Sequence, residues 1–384
     1  MSVNGLKIRS FTLDSYLLFA TRMVRLFAYG FVSVILVLYL DQLGMSEWQI
    51  GLLLTLTLIG DTVISLWITT NADRIGRKRM LIIGAGLMLF AGILFAFTQD
   101  FIFLLIAGTI GVISPSGNEV GPFLALEQAA LSQIVPDNRR TQVFAWYNLV
   151  GAFATAIGAL CGGGLAQVLQ GSGVTPLNSY RVIVIGYALL GVALGLMFVR
   201  LSKQVEVPAD QIKLKPGLGL GLHKSRKVVI NLASLFVIDA FGGGLVLQSF
   251  VAFWFNKRFG VEPAVLGAIF FGANVLAGIS ALSAVRIAGK IGLINTMVFT
   301  HIPSNLLLIL VPFMPTLPLA IFVLLLRFSI SQMDVPTRQS YTMAVVEPDE
   351  RSAAAGVTGI ARTLGAAIAP SITGQLLSNA GLIS

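Results

Sequence analysis

The sequence predicts an all-α polytopic membrane protein built as two six-helix halves related by duplication, with eleven spans present. Three observations carry this. Of 384 residues, 56% are apolar and only 11% charged, whereas a soluble protein carries about a quarter charged residues. The apolar residues fall in stretches of roughly 20 or more, the length a helix needs to cross about 30 Å of hydrocarbon with every backbone group bonded internally. The 26 basic and 17 acidic residues concentrate in the connections between these stretches. An ordinary soluble enzyme is excluded. A single cysteine, Cys161, rules out a disulfide framework, and two histidines are too few for a histidine metal cluster. No metal and no cofactor is expected.

The first stretch, 12–40, is longer than a signal-peptide core and contains Arg22 and Arg25, so it reads as a span and not as a cleaved leader. Spans follow at 46–70, with Asp61 near mid-depth, and at 80–97. The run 101–133 is too long for one straight helix and is interrupted by Ser114-Pro115-Ser116-Gly117-Asn118-Glu119-Val120-Gly121-Pro122. Spans 141–169 and 180–199 complete an N-terminal half, 1–200. A basic linker, 201–227, broken by Pro208 and Pro216, leads into the C-terminal half, 228–384. Its spans lie at 228–255, where Asp239 precedes Phe241-Gly242-Gly243-Gly244, then at 263–285, 293–313, 317–341 and 351–377.

With the N-terminus cytoplasmic, 18 basic residues fall in cytoplasmic segments, against Arg181, Lys257 and Arg258 outside. This bias sets the orientation. It also accounts for the net charge of +9 without a nucleic-acid partner. The expected partners are the lipid bilayer of a cell (plasma or inner) membrane, a small-molecule substrate and protons, with the chain acting as a monomer.

A shift of 212 residues superimposes Arg74, Ile75 and Lys78 on Arg286, Ile287 and Lys290, and Pro136, Asp137 and Arg139 on Pro348, Asp349 and Arg351. Repeats of this kind build secondary transporters, whose substrate site lies between the halves near the midplane. The loop Asn71-Ala72-Asp73-Arg74-Ile75-Gly76-Arg77-Lys78-Arg79 resembles the signature G-x-x-x-D-R-x-G-R-K of the major facilitator superfamily (MFS). Thr69 stands in place of its Gly, and Val285 where a second copy needs Asp. The resemblance covers essentially the whole chain and implies the MFS fold and transport by alternating access. It further implies a conformational gate of Asp73, Arg74, Gly76, Arg77 and Lys78, in which Asp73 latches the outward-facing state at a helix N-terminus. A purely topogenic basic cluster is the other reading. Gly158, Gly162 and Gly163 in span 5 lie in a run similar to the G-P-x-x-G-G element of proton-coupled antiporters, with Ala159 in place of Pro. Pro370 belongs to a related run in span 11. Close helix packing explains both equally well.

An ionisable group inside a span costs roughly 2.5 kcal/mol or more, so each is a functional candidate. Asp239, Glu119 and Asp61 are the proton-coupling candidates, because a carboxyl in a low-dielectric cavity can alternate between protonated and ionised forms. Arg25, Asn118, Arg327, Asp334, Arg338 and Arg362 are candidates for the substrate cavity. Gly/Pro-interrupted segments at matching places of spans 4 and 10, with Glu119 and Asp334 in correspondence, point to the binding site. Asp334 and Arg338, four apart, can instead pair along one helix face. Five intramembrane arginines, Arg22 included, against four carboxylates make mutual pairing the simplest expectation. Glu127 is expected at the membrane interface, and His301 outside the site, since the resemblance makes span 9 peripheral.

The expected function is proton-coupled efflux of small amphipathic molecules by a secondary active transporter; the alternative is a symporter or facilitator for uptake of a sugar, peptide or organic ion. No H-E-x-x-H, G-x-S-x-G or complete phosphate loop occurs, so catalysis is not expected. Shifting span 6 by 212 places a twelfth span beyond Ser384, and the chain is expected to be a C-terminally shortened form of a twelve-span transporter.

Overall fold

The computed structural model describes residues 12–136, 140–206, 224–347 and 350–379. Among them all regular structure is helical: α1 (Leu13–Ser33), α2 (Leu36–Gln42), α3 (Glu47–Ile75), α4 (Arg77–Phe97), α5 (Phe101–Ile110), α6 (Phe123–Ile134), α7 (Arg140–Gly171) and α8 (Pro176–Val199), then α9 (Arg226–Gly244), α10 (Gln248–Phe259), α11 (Pro263–Ile291), α12 (Leu293–Leu310), α13 (Leu317–Ser331), α14 (Asp334–Ala344) and α15 (Arg351–Asn379). The starts have local causes. Thr12, Ser46, Asp100 and Thr175 cap α1, α3, α5 and α8 through their side-chain oxygens, and Ser46 with Gln49 forms a full capping box.

Among the described residues eight segments are long and apolar enough to cross a membrane, and the α1–α2 pair, bent by 43°, makes a ninth. The two other expected spans are the broken pair α5–α6 and α15, a helix rich in Ala, Gly and Thr. That composition suits its place, because α15 packs between α3 and α9, where small side chains allow close approach.

Helices α1–α8 pack mainly among themselves, as do α9–α15, and the two groups meet along α3 with α15, α7 with α11 and α2 with α10. One face of the bundle carries the connections at 75–77, 199–226, 291–293 and 344–351, and is called here the linker face. Polar contacts between the groups lie toward the opposite face. Lys257 pairs with Asp41 at 3.0 Å, Gln248 donates to Ser33 at 2.9 Å, and the Ser371 N–H donates to Thr55 at 2.9 Å. Glycine permits the seams there. A Cβ at Gly163 would strike the Pro263 carbonyl, and one at Gly374 the Glu47 carbonyl. Gly163→Val and Gly374→Val are therefore expected to pry that face open, overpacking of this kind costing about 1–3 kcal/mol. Spin labels at Gln42 and Glu262 should report a longer distance in either variant; an unchanged distance would show that the seam yields without opening.

The break between α5 and α6 is built from Pro115, Gly117 and Gly121, the last two at φ of +69° and +81°. Non-helical backbone is tolerated at membrane depth only where protein satisfies it. Here the Tyr187 hydroxyl donates to the Val112 carbonyl at 2.6 Å and the Tyr29 hydroxyl to the Val120 carbonyl at 3.0 Å. The Gly121 N–H donates to Asp61 at 2.6 Å. Across the halves, the Ser249 N–H donates to the Pro115 carbonyl at 3.2 Å.

Candidate functional site

Two clusters of intramembrane charge form, one in each group of helices. In the first, α1 presents Arg22 and Arg25 three residues apart, on one side of the helix. Arg25 is fully buried and reaches Glu119 and Glu127, both at 2.8 Å. Arg22 pairs with Glu119 at 2.8 Å and donates to the Tyr147 carbonyl at 2.8 Å. Glu127 also accepts from Thr21 at 2.7 Å and, in a very short bond, from the Tyr147 hydroxyl. Aromatic faces complete the enclosure, with Arg22 4.2 Å from the Tyr147 ring centroid and Arg25 4.8 Å from that of Phe123.

This corrects two expectations, for Glu127 and Arg25, and supplies the partners of Glu119. Glu127 is fully buried and ion-paired, not interfacial. Arg25 is sealed within its own half and does not line a cavity. Glu119, without a partner in its local sequence, is held by two guanidiniums from α1. The signal for Glu127 was available: two arginines on one side of a helix need more acceptors than Glu119 alone provides. Asn118 lies exposed in the α5–α6 break. Asp61, partly buried on α3, has no cation among the described residues; its Oδ1 accepts from the Gly121 N–H at 2.6 Å and from Ser65 at 3.3 Å.

The second cluster joins α9, α12 and α14. Arg338 donates to Asp239 at 2.8 Å and to Asp334 at 3.0 Å, the latter being the pair four residues apart on α14. His301 closes the network, with Nε2 2.9 Å from Asp239 and Nδ1 3.6 Å from Asp334. The peripheral assignment of His301 is thus corrected. Its ring, carried by α12, reaches Asp239 of α9 at 2.9 Å. Unlike the first cluster, this one is open to its surroundings: the side chains of Asp239 and His301 are 28% and 37% exposed.

Mutual pairing of all the intramembrane charges does not occur. Arg327 on α13 and Arg362 on α15, both partly buried, make no ion pair or hydrogen bond among the described residues, and the Nε of each is buried without an acceptor. The acids of this group of helices, Asp239 and Asp334, are already engaged by Arg338 and His301.

At the linker face, Gly76 takes φ of +115° and turns the chain from α3 into α4. The side chain of Asp73 lies outside the described residues, and Arg74 is exposed. Glu206 accepts from the Arg77 N–H at 2.7 Å and the Lys78 N–H at 3.1 Å, capping α4 from the linker. Lys78 Nζ donates to the Leu201 carbonyl at 2.8 Å, and Arg77 to Gln133 at 2.9 Å. In this conformer the loop is therefore tied to the linker, a contact with no sequence signature. Glu350 acts likewise on α9, accepting from the Lys224 and Ser225 N–H groups at 2.8 Å each.

The span 5 glycines serve two helix contacts. A Cβ at Gly158 or Gly162 would collide with the Phe27 or Phe31 carbonyl of α1, whereas Gly163 faces α11 of the other half. The Pro370 carbonyl lies where a Cβ on Gly51 would fall, across the α3–α15 seam. Between α7 and α11, on the linker side of that contact, an apolar cavity of about 250 Å³ is lined by residues including Phe153, Val275, Ile279 and Leu282.

Comparison with known proteins follows the same lines. The family model described as Major Facilitator Superfamily matches residues 18–370. A Saccharomyces cerevisiae protein, "Uncharacterized membrane protein YJR124C", is 30% identical over 402 residues, covering 97% of this chain and 90% of its own. The quinolone resistance protein NorA of Staphylococcus aureus (strain MRSA252) is 25% identical over 215 residues, which is 56% of this chain and 51% of NorA. Among solved structures, a bacterial homologue of the human lysosomal transporter Spinster, in an inward-facing and unoccupied conformation, superimposes with a TM-score of 0.74 at 16% identity, over 98% of this chain and 84% of its own.

Proposed function

The chain belongs to the Major Facilitator Superfamily and is a multi-pass, non-enzymatic membrane transporter; from that premise we propose that it couples proton movement to the export of small amphipathic molecules. The observation that carries this reading is the Asp239–His301–Arg338–Asp334 network, a set of titratable groups at membrane depth that is open on one side. Proton arrival at Asp239 or His301 removes or adds charge next to Arg338 and so changes which carboxylate holds that guanidinium. Since Asp239, Arg338 and His301 sit on three helices, a change of partner alters how α9, α12 and α14 pack. That is the kind of two-state element on which alternating access depends.

The positive-inside bias makes the linker face cytoplasmic. Contacts between the halves gather toward the opposite face, so this conformer is closed outside and its site opens toward the cytoplasm. An exporter loads its substrate in that state. The Asp73 loop is the gate on the cytoplasmic side: Arg77 and Lys78 tie it to the linker in this conformer, and it latches once the halves close over it. Glu119, bound by Arg22 and Arg25, acts as a tie within the first half and not as the coupling acid. The local similarity to a quinolone resistance protein supports export.

The test uses inside-out vesicles carrying the full chain, with the lumen acidified and a panel of toxic amphiphiles and of nutrients offered outside. Accumulation of an amphiphile that collapses with the pH gradient is the expected result. A sugar, peptide or organic ion preloaded in the lumen and leaving together with the protons would establish the uptake symporter instead and overturn the proposal.

A further inference from the structure

Within the described membrane-spanning core, Arg22, Arg25 and Arg338 each have carboxylate partners at 2.8 Å. Arg327 and Arg362 have none, and both carry a buried Nε with no acceptor. Arg327 makes its nearest cationic contact with the ring of its own neighbour Phe328, 4.9 Å away. Both lie within electrostatic reach of Asp334, and Arg362 also of Asp239, so they flank the same network from α13 and α15.

An unpartnered guanidinium at membrane depth is costly, because it has been desolvated without a compensating acceptor. Packing gives no reason to keep two of them. The carboxylate of the other half that lacks a cation, Asp61, accepts at Oδ1 from Gly121 and Ser65 and pairs with neither arginine among the described residues. The second half therefore holds two spare cations beside its titratable network. A guanidinium presents a planar fork of donors that matches the two oxygens of an oxyanion, which makes it suited to a carboxylate where an ammonium would act only as a point charge.

We infer that Arg327 and Arg362 are the recognition site for an anionic group, a carboxylate or a similar oxyanion, on the transported molecule. This inference rests on the transporter reading above and narrows its substrate from amphipathic molecules to amphipathic anions. Binding the anion supplies the acceptor that both arginines lack, so the substrate completes a charge balance that the protein alone leaves open.

The test compares three probes of one shape: 4-phenylbutyrate, its neutral amide 4-phenylbutyramide, and the cation 4-phenylbutylamine. Equilibrium binding to the full chain is measured in phosphatidylcholine nanodiscs. The wild type is expected to bind the carboxylate about tenfold more tightly than the amide, and the ammonium least of all. Arg327→Gln and Arg362→Gln should each bring the carboxylate-to-amide ratio close to one while leaving amide binding in place, and Arg327→Lys and Arg362→Lys should retain part of the preference. Because the variants remove an unpaired, partly buried charge, their thermal midpoints should equal or exceed the wild-type value, which separates lost recognition from lost folding.

A ratio unchanged in both Gln variants, no carboxylate binding to the wild type, or a preference for the ammonium would each overturn the inference. If phosphatidylglycerol added to the nanodiscs displaces the carboxylate from the wild type, the anion belongs to a lipid headgroup and the substrate assignment fails. An arginine-dependent carboxylate preference without pH-driven flux would leave the anion site standing while removing proton-coupled export. Flux with no such preference would do the reverse.

Discussion

Asp239→Asn is expected to lower pH-gradient-driven flux at least about a hundredfold, the lower range of the effect of a positioned proton-transfer group, while substrate exchange without a gradient stays within about threefold of wild type. The asymmetry follows from the geometry. Asparagine keeps the size of the side chain and an acceptor for Arg338, but it has no proton to gain or lose, so the partner exchange at Arg338 can no longer follow the gradient. His301→Gln, which removes the second titratable group 2.9 Å away, should shift the pH profile of transport. Gradient-driven flux at the wild-type rate and with the wild-type pH dependence in Asp239→Asn would sink the assignment. Glu119→Gln provides the contrast. It is expected to affect stability before coupling, because it loosens two arginine contacts inside a closed cluster.

The second large effect is on stability. Arg25→Met leaves Glu127 and half of Glu119 without their cation in a site where Arg25 and Glu127 are fully buried. Breaking a buried pair from one side costs about 3–5 kcal/mol, because the remaining charge is uncompensated, and a fall in thermal midpoint on the order of 10 °C is expected. Adding Glu127→Gln should recover part of the loss, since it removes the stranded charge and keeps an acceptor for Thr21 and Tyr147. An Arg25→Met variant that melts with the wild type would show that the cluster contributes nothing to the first half. The two predictions thus assign opposite roles to two clusters of similar composition, on the ground of burial alone.

Much of the architecture was legible in the residues. The apolar stretches, the break at Pro115, Gly117 and Gly121 and the pairing of Asp334 with Arg338 all follow from local rules of length, backbone freedom and four-residue spacing. The errors share one cause. The partners of Glu119 were not identifiable in the sequence because they come from α1, about 95 residues earlier in the chain. Glu127 was placed at the interface by its distance along a span, and His301 was set aside because its helix was taken as peripheral. In each case the depth and neighbours of a side chain depend on which face its helix turns inward, and in a chain apolar on all sides the hydrophobic pattern does not mark that face.

By itself the sequence determined the solvent of this protein, its helical construction, its break points and its family, because these depend on composition and on spacings of a few residues. It also listed the charges inside the membrane. Only the tertiary structure decided how those charges are spent: Arg22 and Arg25 closed off by Glu119 and Glu127, Asp239 and Asp334 shared between Arg338 and His301, Arg327 and Arg362 left over. The reason is that ion pairing operates over a few ångströms between helices far apart in sequence, and at low dielectric a displacement of that size separates a neutralised charge from one available to a ligand.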